Sequence, residues 1–358
     1  MRSSLRLKNF YLGLNRIARI TALGGTLLMP VSVIGQEMTQ ECGELLQGRR
    51  FSLVVPYGPG GGYDAYAGVF ATSFSALTDS TMRIRYLPGA GSIRGINAVV
   101  EAGPANQVLG MFNPNILLNE KIVGRGATDI DSLVFLGSLY SDTTVLVTRE
   151  DYLVDFESSQ SRIFALSSNF ESRIFLPGFA LGWNIELIRG YNGTTESILG
   201  LLRQDVDFIY APTMTIVNQK KSVSGLNAFL SVTDSKNPYF PDSHYLMGEG
   251  GILERITAGM PDEERLERQQ IAGLAVELGN LHRAVSISRN TEPGNLSCLL
   301  AAVQRTLFSE ELANLAADQN LIIEPVSGSE MQNRFNQANV LIEENWELLQ
   351  ELSAPFRQ

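Results

Sequence analysis

Histidine, cysteine and tryptophan are nearly missing: the 358 residues hold two of each. With only His244, His282, Cys42 and Cys298 to draw on, neither a His-x-x-Glu-His nor a Cys-x-x-Cys spacing can be written, so no metal centre and no cofactor are expected. His244 falls in a Pro-rich loop and His282 beside an expected strand, where a surface or core role is the simpler reading. An enzyme would need a nucleophile with a base beside it. Carboxylates abound, yet nothing singles out a pair for acid–base work, and the chain does not read as an enzyme.

Basic residues are scarce as well, 28 Lys and Arg against 38 Asp and Glu. Five of them, Arg2, Arg6, Lys8, Arg16 and Arg19, fall in the first 35 residues, which contain no acidic residue. The apolar stretch Ile20 to Ile34 follows, interrupted by Gly24, Gly25 and Pro30. This is the layout of a signal peptide over residues 1–35, with cleavage expected after Gly35. The stretch is shorter than the roughly 20 residues that span a bilayer, and an uncleaved membrane anchor is the alternative. No Cys follows closely enough to suggest a lipoprotein. Without the leader, 23 basic residues face 38 acidic ones, so nucleic acid and anionic lipid are poor partners. A chain this acidic can bind an anion only through a local field of backbone N–H groups and a few side chains. Export also implies an oxidising compartment, where a Cys42–Cys298 disulfide is favoured over the alternative of two buried thiols.

Repeats, low-complexity runs and Pro/Ser-rich tethers are missing after the leader. The chain exceeds what a single core organises, so two lobes are expected, joined by strands that cross between them. Phe51 to Pro56 is a short apolar run ending at a Gly/Pro cluster, as in a strand buried on both faces. Asp64 is expected to cap a helix whose stripe runs Tyr66, Phe70, Phe74 and Leu77. The unit recurs as a strand at Met82 to Leu87, a loop at Pro88 to Ser92, a helix at Ile93 to Glu101 and a strand at Val108 to Phe112. Such alternation predicts a parallel sheet covered by helices, with ligands at the carboxyl ends of its strands. Leu133 to Leu139 and Val145 to Thr148 read as strands leading out of the first lobe. Ile163 to Ala165, Glu186 to Arg189, Val206 to Tyr210 and Leu226 to Val232 supply the second, with a helix carrying Ile198, Leu201 and Leu202 between them. Ala284 to Ser288 reads as the return crossing. The end is helical, with Phe335, Ala338, Ile342, Trp346, Leu349 and Leu352 spaced to pack along the first lobe. The expected division is 36–149 and 281–358 for lobe 1 and 150–280 for lobe 2.

The segment Pro56 to Asp64 places Gly58, Gly60, Gly61 and Gly62 between a strand and a helix. Such a loop leaves backbone N–H groups uncovered and, with the helix N-terminus, forms a cradle for an anion. A nucleotide-binding P-loop is excluded, because it would end in Lys then Ser or Thr rather than Tyr63-Asp64. The second loop, Pro88 to Gly95, is one residue too long for the dinucleotide fingerprint. Alone it reads as a tight turn; at the same end of one sheet it becomes a second wall of one site.

The string VVPYGPGGGYDAYA, followed by PGAGSIRGINAVVEA, resembles the two signature segments of the Bug family, the periplasmic substrate-binding subunits of tripartite tricarboxylate transporters. Weaker similarity runs through LGSLYSDTTVLVTRED, IRGYNGTTESILGLLRQDVDFIYAPT and LAADQNLIIEPVSGSEM, and so covers nearly the whole chain after the leader. The resemblance implies an α/β, type II periplasmic-binding-protein fold: two α/β lobes with a cleft and hinge strands, lobe 1 being built from both ends of the chain. It implies that a ligand carboxylate is held by Tyr57, Gly58, Gly61, Gly62, Tyr63 and Asp64 of the first loop and by Gly89, Ala90, Gly91 and Ser92 of the second. Asn113 follows the third strand. From lobe 2, Ser167 and Ser168 fall at a small-residue loop of the family. Tyr191, Gly193 and Thr194 resemble its Tyr-x-Gly-Ser turn, and Ala211, Pro212 and Thr213 follow a strand ending in the cleft. The chain departs from the family at Ser92, at Arg189-Gly190 and at Pro104-Ala105-Asn106-Gln107-Val108, so ligand identity does not transfer.

Tyr57 and Tyr63 are read as ligand contacts rather than covers of the core edge, because a glycine loop leaves little core to cover. Arg94 and Arg189 are read as solvated charges. Asn192-Gly193-Thr194 fits a glycosylation sequon but also the cleft turn. The expectation is a monomeric periplasmic protein that captures a small organic anion between its lobes and hands it to the membrane permease subunits of a tripartite transporter. A ligand-sensing protein that docks on a sensor kinase is the alternative.

Overall fold

The structure, a computed structural model, describes residues 39–357 apart from 106, 127, 141, 142, 159, 168 and 282. The expected leader at 1–35, Ser168, His282 and Asn106 lie outside the described residues.

The first lobe opens with α1 (Gln40–Leu46) and β1 (Arg50–Val55). Phe51, Leu53, Val54 and Val55 are all buried, as an apolar run sandwiched between helices requires. The long helix α2 (Gly62–Thr78) follows and buries Tyr66, Phe70 and Phe74. It starts before the expected cap: Gly61 is the N-cap, and Asp64 sits one turn in, where its carboxylate accepts the Gly60 N–H at 2.7 Å. Asp64 therefore ties the loop back onto the helix from inside the first turn, reaching one residue further back than the N-cap amide that a capping box would use. The lobe continues through β2 (Thr81–Tyr86), α3 (Ile93–Val100), β3 (Val108–Phe112), α4 (Asn115–Val123) and β4 (Leu133–Ser138).

The second lobe holds β5 (Thr144–Arg149), β6 (Ser161–Ser167), α5 (Ser172–Ala180), β7 (Asn184–Tyr191), α6 (Thr194–Leu202) and β8 (Phe208–Pro212). It continues with α7 (Thr213–Gln219), β9 (Leu226–Val232), β10 (His244–Tyr245), α8 (Ile252–Ile256) and α9 (Asp262–Glu277). The chain returns to the first lobe through β11 (Ala284–Ser288), α10 (Pro293–Leu307), α11 (Glu310–Asp318) and β12 (Val326–Ser327), and ends with α12 (Gly328–Glu344) and α13 (Trp346–Ser353).

Each lobe has its own sheet, ordered β12-β4-β11-β3-β1-β2 and β10-β9-β5-β8-β6-β7. The sheets are mixed, not wholly parallel as the alternation suggested. β1 runs parallel to β2 and β3, whereas β11 is antiparallel to β3 and β4, and β5 is antiparallel to β8 and β9. The reason is topological. A strand arriving from the other lobe enters its sheet at the edge facing that lobe, where the local strands end, and must run away from it. β5 is such a strand, so it belongs to the second sheet and not to the first lobe, where the sequence placed it.

One apolar cluster joins Tyr66, Phe70 and Phe74 of α2 to Leu299 and Val303 of α10 within lobe 1. The largest cluster crosses between lobes, linking Ile116 and Leu117 of α4 to Phe175 of α5, Phe208 of β8 and Phe335 of α12. The expected disulfide is present: Cys42 on α1 pairs with Cys298 on α10 at a Cα–Cα distance of 5.1 Å. The terminal helix expected from Phe335 to Leu352 breaks at Asn345, which leaves the helical conformation and accepts a hydrogen bond from Gln270 Nε2 at 2.7 Å. Trp346 is thereby turned outward, 39% exposed. The segment after the break reaches the second lobe, where Phe356 stacks on Phe175 with ring centroids 5.3 Å apart.

Candidate functional site

Because β1 and β2 are parallel neighbours, the loops that follow them emerge at the same sheet edge. The first loop carries Tyr57 and Tyr63, whose rings pack 4.3 Å apart. Each phenol oxygen is held by a neighbouring backbone amide, Tyr57 by Asn113 N–H at 3.2 Å and Tyr63 by Arg283 N–H at 3.3 Å. Burial pushes both phenols above their ordinary range, Tyr57 well above it, so both stay neutral donors and acceptors. A β-carbon built on Gly58, Gly60 or Gly61 would meet nothing within 4 Å. At Gly62 it would stand 3.1 Å from Thr215 Oγ1 of α7, so lobe 2 closes down here. Asp64 accepts from Gly60 N–H and from the Tyr86 hydroxyl, a bond that pushes Tyr86 up to about 12. Asp64 thus shapes the loop through its own bonds.

In the second loop Gly89, Ala90, Gly91 and Ser92 take φ values of 126°, 47°, 61° and 85°. Four successive left-handed residues, two of them not glycine, are costly backbone of the kind found at ligand clamps. Ser92 is buried. Across the cleft Asn169, between β6 and α5, donates its N–H to Gly91 O at 3.3 Å. The Asn169 side chain lies directly on Gly91, its Oδ1 1.7 Å from where a β-carbon would be. The two glycine loops therefore form neighbouring walls, and both touch lobe 2.

The residues expected from lobe 2 divide into two groups. Ser167 is buried and its carbonyl accepts the Tyr210 hydroxyl at 3.3 Å. Ala211 is fully buried in β8 and Pro212 is the N-cap of α7. Thr213 is engaged within its own lobe, bonding Thr143 O through its N–H at 2.9 Å and accepting from Asn237 Nδ2 at 3.1 Å. Gly193 caps α6 at φ 153° and Thr194 begins that helix. Tyr191 turns onto α6, its ring 2.7 Å from the position of a β-carbon on Gly200. It lines an open groove of about 460 Å³ with Arg189, Glu196, Leu199, Arg203 and Asp205. It does not join the Tyr57–Tyr63 pair. Asn113 does: it is buried, its N–H holds Tyr57, and its Oδ1 accepts Asn115 N–H at 3.0 Å at the start of α4.

Two buried arginines that act on the tyrosine pair escaped the sequence reading. Arg283, 1% exposed at the start of the return crossing, has its guanidinium 4.2 Å from the Tyr66 ring, 5.6 Å from Tyr63 and 5.7 Å from Tyr140. Arg173 on α5 donates to Thr144 Oγ1 at 3.0 Å and to Gly279 O at 2.9 Å, beside the second crossing strand. Both act on the Tyr63 hydroxyl, opposing the rise that burial causes. They supply local positive charge that the acidic chain lacks overall. The available signal was an arginine at the entry to an apolar run, Arg173 before Ile174-Phe175-Leu176 and Arg283 before Ala284-Val285, since such residues are seldom buried without a purpose. Arg189, read as solvated, instead bonds Phe356 O at 3.0 Å and faces Glu171 at 3.5 Å.

No protein-family model matches the chain, and no curated protein sequence does. Solved structures do match. The periplasmic binding protein BugD superposes with a TM-score of 0.65 at 16% identity, over 85% of this chain and 97% of that one. A Rhodopseudomonas palustris protein with adipate gives 0.63 at 16% identity, over 86% and 97%. MatC from Rhodopseudomonas palustris with bound malate gives 0.60 at 16% identity, over 85% and 99%. At this identity the likeness speaks to architecture, and with the repeated strand order of the two sheets it assigns the chain the two-lobed type II periplasmic-binding-protein fold.

Proposed function

We propose that the protein is a Bug-type solute-binding subunit that captures a small organic carboxylate in the periplasm and delivers it to the permease of a tripartite transporter. The observation that carries this reading is the convergence at one sheet edge of two glycine loops, each in contact with the opposite lobe. The N-terminus of α2 favours negative charge, as the Asp64 carboxylate seated in its first turn already shows. Neutral Tyr57 and Tyr63 offer hydroxyls, and buried Arg173 and Arg283 set a positive background. The proteins of like fold that hold malate and adipate support a carboxylate as ligand. Capture by closure follows from linkage: a solute that touches both lobes only when they are shut shifts the population toward the shut form.

A thermal-shift screen against dicarboxylates, tricarboxylates, amino acids and aromatic acids tests the reading. A true ligand at a hundred times its Kd should add about 2.7 kcal/mol of stability, several degrees in Tm. Gly61→Val should abolish that gain while leaving the apo protein folded, because Gly61 has an extended backbone at φ −95° and open space beyond its α-carbon. A screen in which no acid stabilises the protein, or a variant that keeps the full gain, would count against the site.

A further inference from the structure

We infer that the two lobes are held shut by a buried ionic clasp of their own, so that opening this clasp, and not solute capture alone, governs the exchange between open and closed forms. Glu171, at the N-cap of α5 in lobe 2, has a side chain only 1% exposed. Its two carboxylate oxygens accept from Arg125 Nη1 at 2.9 Å and Nη2 at 3.0 Å, a two-pronged pair with a residue that follows α4 in lobe 1. Asn119 on α4 adds Nδ2 at 2.7 Å to Glu171 and takes the Ser172 N–H on its Oδ1 at 2.8 Å. In the reverse direction, Glu120 of α4 accepts Arg125 Nε at 2.9 Å and the Nδ2 of Asn169, from lobe 2, at 2.7 Å.

The sense of these bonds matters as much as their distances. Two carboxylates, Glu120 and Glu171, face two guanidiniums, Arg125 and Arg189, one of each sign from each lobe, so the group is neutral as a unit and the two-pronged Arg125–Glu171 pair is what crosses between the lobes. The planar fork of Arg125 matches the Glu171 carboxylate in a way an ammonium could not. Burying an ion pair often gains little over water, but here neighbouring amides fill the remaining lone pairs, and withdrawal of one member would strand the rest. The Ser172 N–H is a first-turn amide, with no acceptor inside its own helix; its bond to Asn119 is made only when the lobes meet. The apolar cluster running from α4 to α5 lies beside the same contact. None of this requires a solute, so the inference stands or falls separately from the carboxylate reading.

Hydrogen exchange of the purified protein, with no organic acid present, is the test, because the Asn169 and Ser172 amides are bonded across the lobes. In the wild type both amides should be protected. In Glu171→Gln both should exchange at least about tenfold faster, as expected when one partner leaves a buried pair, while amides of β1 keep their protection and so report an intact lobe. Arg125→Lys keeps the charge but loses the fork, and should give the same pattern to a lesser degree. Unprotected Asn169 and Ser172 amides in the wild type, or protection unchanged in both variants, would overturn the inference.

Discussion

At Gly91 a backbone requirement and a side-chain contact meet. Its φ of 61° suits glycine, and the Asn169 side chain fills the space where a β-carbon would be. Ala90 next to it adopts φ 47°, so an alanine can take this backbone at a cost. Gly91→Ala should therefore lose on the order of 1–3 kcal/mol, and adding Asn169→Ala should return the part due to the clash alone. A double-mutant cycle by urea denaturation would read this, and strict additivity would contradict the contact. What could be seen at this scale in the sequence follows from the same chemistry. Clustered glycines, and tyrosines set among them, mark a loop whose backbone is meant to be approached. Asn169, Arg173 and Arg283 carry no such mark, because each stands close to other polar residues with no period of its own, and its partners lie far along the chain. Tyr191 shows the converse: a motif placed it at a turn, but the direction of its ring depends on the small residue Gly200 on the next helix.

Among the elements, the strands and helices of both lobes were legible because burial on two faces gives short apolar runs and burial on one gives spacings of three and four. Strand direction was not. The antiparallel entries of β5 and β11 are set by which lobe the chain comes from, and periodicity within a strand contains no record of that. The end of the chain was misread for a related reason. The apolar spacing runs on through Trp346, yet Asn345 interrupts the helix by bonding Gln270 and by turning its own Nδ2 to Leu341 O at 2.8 Å. The break redirects α13, which is pinned to α4 where Gln350 Nε2 and Ser353 Oγ both donate to Ile122 O, at 2.9 and 3.1 Å. Phe356 then lands on Phe175 and Phe179 of lobe 2. Phe356→Ala should cost about 3 kcal/mol, the usual loss for a buried ring, and should make the chain after residue 345 the first site of limited proteolysis. A variant as stable as the wild type would mean that the segment is docked by its backbone bonds alone.

For the molecule as a whole, the question is whether two lobes make one cooperative unit. The disulfide joins α1 to α10 across 256 positions of sequence, so it staples the two chain segments of lobe 1 that the whole of lobe 2 separates. Closing so long a loop constrains the unfolded chain strongly, and its removal should cost about 2–5 kcal/mol. Where that loss appears depends on how the lobes are coupled. If each melted alone, replacing Cys42 and Cys298 by serine would lower one calorimetric transition and leave the other in place. The apolar cluster that runs without a break from α4 through α5 to β8, and the terminal segment bound to both lobes, couple them instead. The double serine variant should therefore show a single transition moved down as a whole, with equal calorimetric and van't Hoff enthalpies. A split thermogram in which only one step moves would mean that the interlobe contacts are too weak to transmit stability. The closed arrangement of Asn169 against Gly91 would then be one readily exchanged state among several.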